Sequence, residues 1–385
     1  MSKSTLSYLI TLGVLIVLTV VMIQWRINLD NYATQIASGA AQASSGNKGN
    51  SAIYANNIAD EANSVRDWAA VFLAATCCTA VFGLMEFVIL PLLSLSRIGA
   101  LMRVTYHEGL LQPFTLIVFF LCVTAIIVTA FVPFNTFEGS DENKMFRDIA
   151  LSYILMFILI IMVFATGKVI DEEIENRTML TLMSKPLARW QVIIGKYLGI
   201  LCLIFFTMAI ATIIAMACSW LRNFYDMRID LEVSDTLGRQ AIYLASDHFV
   251  IAMIPAFILQ FMELATLAAI STAIATRYGL ALNMTVIVLL YICANLTRFV
   301  SLLDLGSPWQ TVAQNAAYLL PYLSNFDLNQ CLVYRDLSFP GAEIDGAPTI
   351  GQVVQYVATT CLYGFFYIGA ALSLAIAMFR NRELT

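Results

Sequence analysis

GKVIDEEIENRTMLTLMSKPLARWQVIIGK, residues 167–196, decides how this chain is organised. It is charged and helix-prone, yet LSYILMFILIIMVFAT (151–166) precedes it and YLGILCLIFFTMAIATIIAMACSW (197–220) follows it. The second run is long enough to cross a bilayer, which takes about 20 residues as a helix, and so is the first once Ile149 and Ala150 are counted with it. The stretch between them must therefore sit at a membrane face. Its acids come first, Asp171, Glu172, Glu173 and Glu175, and its bases last, Lys185, Arg189 and Lys196. That order complements helix dipoles. Residues 168–184 are expected to form one partly amphipathic helix and 187–196 the start of the next, with Ser184-Lys185-Pro186 as the corner, because proline breaks a helix and biases the residue before it away from helical angles.

The whole chain is built the same way. Of its 385 residues 60% are hydrophobic and 12% charged, and its mean hydropathy is +0.79. Soluble domains carry about 25% charged residues, so this is a polytopic membrane protein. The net charge of −5 supplies no basic face for nucleic acid. Seven of the eight cysteines (Cys77, Cys78, Cys122, Cys202, Cys218, Cys293, Cys361) fall in apolar runs and only Cys331 in a polar loop. Buried thiols behave as small hydrophobes, and no CxxC spacing suggests a disulfide framework or a thiolate metal site. His107 and His248 are the only histidines and read as ordinary interfacial residues.

Outward from the charged stretch, the chain predicts an all-α integral membrane protein, a polytopic bundle of about eight transmembrane helices. Leu6–Ile23 exceeds the roughly 7–15 apolar residues of a cleavable leader, and Ala37-Ser38-Gly39-Ala40 lies too far beyond it for cleavage, so it reads as a retained first span. A hydrophilic loop, 26–67, leads to a second span from Trp68 to about Leu95 that contains Glu86. Residues 1–96 thus form an N-terminal pair. Arg97–Gln112 mixes Arg97, Arg103, His107 and Glu108 with apolar residues, as an elbow helix lying in the interface would. The third span is Pro113–Val132, then an acidic loop Phe134–Asp148 and a fourth span Ile149–Thr166. Beyond Lys196 come a fifth span to about Trp220, a mixed-charge loop 221–248, a sixth span Phe249–Thr276 carrying Gln260 and Glu263, and a tight turn at Arg277-Tyr278-Gly279. A seventh span, Leu280 to about Phe299, precedes the largest hydrophilic loop, 300–350. Gln352–Phe379 is the eighth.

Basic residues near span ends are retained in the cytoplasm. Lys3, Arg97, Arg103, Lys168, Arg177, Lys185, Arg189, Lys196, Arg277, Arg380 and Arg382 crowd into short connections, at about twice the density of the other set or more. Both termini and the 167–196 stretch are accordingly expected on the cytoplasmic side, and the long loops outside.

No G-x-x-x-x-G-K-[ST] loop, G-x-S-x-G elbow or H-E-x-x-H helix is present, so nucleotide binding through a P-loop and hydrolase chemistry have no carrier in the chain. An ionisable group inside a span costs about 2.5–3.5 kcal/mol on insertion scales unless it faces protein or water. Glu86 and Glu263 are therefore either pathway acids or carboxylates hydrogen-bonded between helices, and Glu86 lies near the cytoplasmic end of its span.

The order E-x-E-x-R-T, then L, then S-K-P-x-x-R, then G-K, carried here by Glu173, Glu175, Arg177, Thr178, Leu182, Ser184, Lys185, Pro186, Arg189, Gly195 and Lys196, resembles the cytoplasmic segment of ABC transporter type-2 permeases. The branch it matches is described as permease components linked to multi-copper enzyme maturation. Much of the wider family has Gly before the Thr, where this chain has Arg177. A second, shorter resemblance is Leu320-Pro321-x-Leu323-x-x-Phe326-x-Leu328. Together they cover about residues 98–382, making 97–385 a six-span permease domain with elbow (97–112), coupling segment (167–196) and external loop (300–350). The first two spans are additional.

The resemblance implies a permease subunit of an ABC exporter in the cytoplasmic (inner) membrane, without enzymatic activity. Glu172 and the matched residues would form a coupling helix docked on a separate ATP-binding subunit, which holds ATP and Mg. A second permease copy or a paralogue would complete a dimer. The resemblance implies no cofactor in this chain. Copper is not implied by the label, since no Met or His cluster has ligand spacing. The competing readings are a membrane scaffold or sensor whose outer loops bind a partner, and an ion-coupled carrier using Glu86 and Glu263.

Overall fold

In hydrocarbon every backbone N–H and C=O must be bonded within the protein, so each apolar run closes on itself as a helix. The computed structural model describes residues 11–25, 27–28, 68–132, 139–175, 188–230, 253–300, 321–327 and 350–380. Among them there is no strand. The helices are α1 (Thr11–Trp25) and α2 (Trp68–Leu93), α3 (Arg97–Leu110), α4 (Pro113–Phe131), α5 (Gly139–Glu175), α6 (Arg189–Asp230), α7 (Met253–Ala275), α8 (Leu280–Val300) and α9 (Ile350–Arg380). Six contain stretches long and apolar enough to cross a membrane: α2, α4, Met145–Val169 of α5, Trp190–Arg222 of α6, α7, and Gly351–Phe379 of α9. The first and seventh expected spans correspond to shorter apolar helices, Thr11–Trp25 and Leu280–Leu296.

Two expected loops are partly helical. The acidic connection before the fourth span becomes helix at Gly139, ten residues before the expected start. The mixed-charge loop after the fifth span begins as a continuation of α6 to Asp230. The charged stretch itself starts inside α5, which runs through Gly167 without a break to Glu175. Its leading acids are thus the last turns of a membrane-crossing helix, while residues 176–187, including the expected proline corner, lie outside the described residues.

α5, α6 and α7 form the centre. Of their apolar windows 56%, 56% and 67% of residues are buried, against 22–28% in α2, α4 and α9, whose exposed Leu92, Phe120 and Phe366 suit contact with lipid. α5 and α6 run antiparallel. Lys196 Nζ donates to the Val169 carbonyl at 2.9 Å at one end, and the Arg222 guanidinium lies over the Phe146 ring at 5.8 Å at the other. There Arg222 also donates to the Thr129 and Ala130 carbonyls at 3.2 Å, among the last carbonyls of α4, which lack full intrahelical pairing. α7 is held to α6 by the Tyr197 hydroxyl on the Ala265 carbonyl (3.1 Å) and to α5 by Gln260 Nε2 on the Leu151 carbonyl (3.2 Å).

The turn at 276–279 brings Asn283 of α8 against Ser271 of α7, with donor-acceptor distances of 3.0–3.2 Å between two fully buried side chains. Interhelical hydrogen bonds of this kind contribute about 0.6 kcal/mol on average in double-mutant cycles. A cycle of Asn283→Leu and Ser271→Ala, read by thermal unfolding in detergent, is expected to return a coupling of about that size and at most ~1.7 kcal/mol. Additive variants would show that the contact contributes nothing.

Candidate functional site

Three places combine polar chemistry with membrane depth or with the charged segment. The first is the end of the bundle where α5 stops and α6 starts. Glu172, Glu173 and Glu175 fall in the closing turns of α5 and Arg189 is the first residue of α6. Arg177, Thr178, Ser184, Lys185 and Pro186 lie outside the described residues. α6 opens with a cap made by its own sequence: the Ala188 N–H donates to Gln191 Oε1 at 3.1 Å, and the Gln191 N–H donates back to the Ala188 carbonyl at 2.9 Å. A Gln three residues into a helix reaching back to its cap is the second half of a capping box.

The last two residues of the stretch point inward. Lys196 is 2% exposed and ties α6 to α5 through the Val169 carbonyl. Gly195 lets α3 come close: a Cβ there would lie 2.9 Å from Leu101 Cβ and 3.1 Å from the Ile98 carbonyl oxygen. One turn on, a Cβ at Gly199 would lie 2.6 Å from Thr105 Cβ and 2.7 Å from the Met102 carbonyl oxygen. Gly109 of α3 approaches Leu203 in turn, and Tyr106 meets Phe206 edge-on at 6.0 Å. Contacts that climb together along both helices place α3 parallel to the first turns of α6. The elbow expected from the sequence is thus a 14-residue helix, capped by Ser96 Oγ on the Gly99 N–H at 2.9 Å, clamped to the helix that leaves the charged segment. Gly195-x-x-x-Gly199 was the signal for it, since small residues four apart let helix backbones approach.

The second place is Glu86. It lies in a π-helical segment, Leu84–Ile89, just before Pro91, whose missing N–H removes an i→i−4 bond and favours such a widened turn. Its Oε1 is 3.3 Å from Nε2 of His107 in α3, and the His107 ring stands edge-on to Tyr106 at 5.4 Å. The pair joins the N-terminal pair of helices to the elbow.

The third is Glu263. It lies ten residues after the first and twelve before the last residue of α7, at the middle of a span, and is 2% exposed. Among the described residues no lysine, arginine or histidine forms an ion pair with it. Gln260, one turn away on the same face, is 1% exposed, and its Oε1 has no hydrogen-bond partner. Beside them enters Pro321–Asp327, the part of the largest loop that carries the second resemblance. Leu323 and Phe326 are buried. The Phe326 ring and Met262 Cε converge on Gly364, at 3.4 and 2.9 Å from where its Cβ would be. Gly364 is mid-way along α9. Tyr363 OH accepts from the Tyr322 N–H at 3.1 Å and Tyr356 OH donates to the Asn325 carbonyl at 2.9 Å, so side chains satisfy backbone groups that irregular structure leaves open. Asp327, which ends this segment, is exposed. No group of three or more His, Cys, Asp or Glu suited to a metal ion occurs among the described residues.

The structure thus brings Gly195 and Lys196 together with α3 and α5, pairs Glu86 with His107 in a different place, and leaves Glu263 as the carboxylate at mid-span. The sequence model of a family described as ABC-2 family transporter protein matches residues 121–377, about two-thirds of the chain. No curated protein matches it.

Proposed function

Since the chain belongs to the ABC-2 family of transporter proteins, and is a multi-pass permease on that ground and on its six membrane-length helices, we propose that it is the membrane subunit of an ATP-driven exporter. A separate ATP-binding subunit, holding ATP and Mg, docks on residues 167–196, and a second copy or paralogue of the permease completes the transporter. The order of residues in the charged segment favours the branch associated with multi-copper enzyme maturation. It also faces the cytoplasm, with both termini, in a cell inner membrane.

The observation that carries this reading is the bracing at the segment's two ends. Glu172, Glu173 and Glu175 continue a span as rigid helix, and α6 starts at Arg189 with its own cap. Lys196 and the Gly195–Gly199 face lock α6 to α5 and α3. A push on the segment between them would move α3, α5 and α6 as a unit. The stretch between them, with Arg177, Thr178, Ser184, Lys185 and Pro186, is where the ATP-binding subunit would apply such a push. Glu263 lies where a pathway acid is useful, whereas Glu86, held by His107, braces the N-terminal pair against the elbow.

The test is co-expression of the tagged chain with its neighbouring gene products. Purification is expected to retain a P-loop ATPase, and Glu173→Lys with Glu175→Lys is expected to release it while membrane insertion is kept. ATP hydrolysis should then no longer drive transport in vesicles. A chain that never retains an ATPase is a scaffold or sensor instead. Transport that survives ATP depletion but not Glu263→Gln would mark an ion-coupled carrier.

A further inference from the structure

α2 and α6 meet and then part. The Phe82 and Phe206 rings lie 5.9 Å apart, tilted by 57°, but from there toward Ala69 on α2 and Trp220 on α6 a cavity of about 430 Å³ stands between the two helices. Ala70, Ala74 and Cys77 of α2 and Ile213, Ala217 and Trp220 of α6 line it, together with Ile23 of α1. From Ala70 to Cys77, and from Ile213 to Trp220, is seven steps along a helix, or about 10 Å. The hollow is therefore a slot parallel to the spans. Protein interiors leave few voids larger than a water molecule, so a slot of this size is built to be filled by something else. No residue of α5 or α7 lines it, which puts it on the flank of the bundle and not at its centre.

The lining selects the occupant. It holds no charged side chain, amide or hydroxyl, and Thr76 and Thr79, on the same stretch of α2, donate to carbonyls of their own helix at 2.7 and 3.0 Å. Water finds no partners in such a place, and apolar cavities stay dry. Trp25 and Trp68, both exposed, stand at the Trp220 end, where α1 stops and α2 starts. Tryptophans collect at the level of the headgroups, so the slot begins there, in the leaflet opposite the charged segment, and runs into hydrocarbon. Leu73 and Cys77 of its lining are exposed, which leaves it open sideways to the bilayer. A helix of a second copy, about 10 Å across with its side chains, is too wide for a gap between helices that touch at Phe82 and Phe206. We infer that the slot is a binding site for one hydrocarbon chain of a bilayer phospholipid, whose headgroup and second chain stay outside beside Trp25 and Trp68. The bound chain completes the packing of the N-terminal pair on α6 that Phe82 and Phe206 begin. Nothing in this site depends on whether the chain exports a substrate.

The experiment uses the full chain in detergent micelles, with Trp25, Trp68, Trp190 and Trp309 replaced by phenylalanine so that Trp220 is the only tryptophan left. The probe is a phosphatidylcholine with one dibrominated stearoyl chain, whose bromines quench indole fluorescence on contact. Quenching of Trp220 is expected to saturate, and unbrominated phosphatidylcholine is expected to restore the emission in competition. Ala74→Phe, which fills the slot from α2, should weaken the apparent affinity at least tenfold, and Ala70→Leu several-fold. A chain that keeps only Trp190, exposed near the other end of α6, is expected to show no saturating component. Should Ala74→Phe fail to fold, Ala70→Leu and the contrast between Trp220 and Trp190 still decide. Equal quenching of Trp220 and Trp190, or Trp220 quenching untouched by both substitutions, overturns the site. Saturable quenching by dibrominated stearic acid with none by the phospholipid overturns the assignment to a bilayer lipid, because it marks a site for free single-chain molecules.

Discussion

Gly199→Leu is expected to yield a chain that reaches the membrane but does not assemble. A single added carbon at this position already lies 2.6 Å from Thr105 Cβ, 2.8 Å from Thr105 Cγ2 and 2.7 Å from the Met102 carbonyl oxygen. Methyl-sized overpacking of a packed core costs about 1–3 kcal/mol, the range expected for Gly199→Ala. Leucine adds three further carbons against backbone that cannot rotate aside, so α3 must leave α6 altogether. A total stability of about 5–15 kcal/mol does not survive losing that interface. Thr105→Ala should restore a small part of the loss in Gly199→Ala, since it removes Thr105 Cγ2 but keeps Cβ and the Met102 carbonyl in place, and none of it in Gly199→Leu. The control is Gly369→Ala in α9, where nothing lies within 4 Å. It should be neutral or stabilising by up to about 1 kcal/mol, the helix-propensity difference. Thermal unfolding and size-exclusion of the detergent-solubilised variants measure all of these. A monodisperse Gly199→Leu with unchanged unfolding temperature would mean that α3 does not pack on α6 as described.

Lys196→Met carries the second largest effect, and it separates folding from coupling. Lys196 is 2% exposed and donates to the Val169 carbonyl across 27 residues of sequence. Hydrogen bonds from charged groups contribute about 1.5–3 kcal/mol. Methionine keeps the length and apolar stem but offers no donor, so a loss of that size is expected in thermal unfolding. The functional consequence is larger than the stability change suggests. With α5 and α6 no longer tied at the ends of the charged segment, movement of the segment is absorbed by their separation. ATP hydrolysis by the partner is expected to continue while transport per ATP falls at least tenfold. Lys196→Arg should not rescue it, because the planar guanidinium needs room that a nearly inaccessible pocket lacks. Unchanged transport per ATP in Lys196→Met would show that the tie is structural alone.

The membrane class, the helical spans and the exceptional character of 167–196 were legible because they are one-dimensional properties. Apolar runs of about 20 residues leave a chain few alternatives in a bilayer. The limits of the helices were not legible. Helix propensity carried α5 back to Gly139 and on to Glu175, and α6 on to Asp230, past the points where hydropathy stops. Hydropathy reports the slab of lipid and not the hydrogen bonds that continue beyond it. Gly195 and Lys196 were visible as motif residues, yet their inward roles depend on Ile98, Leu101 and Val169, which lie far away in sequence.

The sequence by itself determined that this chain lives in a bilayer, that it presents a charged segment at one face, and that two carboxylates are out of place within spans. Periodicity and hydropathy suffice for those conclusions because each is a property of a run of residues. Only the tertiary structure decided that the two carboxylates differ. Glu86 finds His107 on a neighbouring helix, while Glu263 stands buried at mid-span, one turn from the unpartnered Gln260 Oε1. A side chain's partners are set by which helices are adjacent and at what register. That depends on glycine faces and interhelical hydrogen bonds spread over two hundred residues, and no local pattern encodes it.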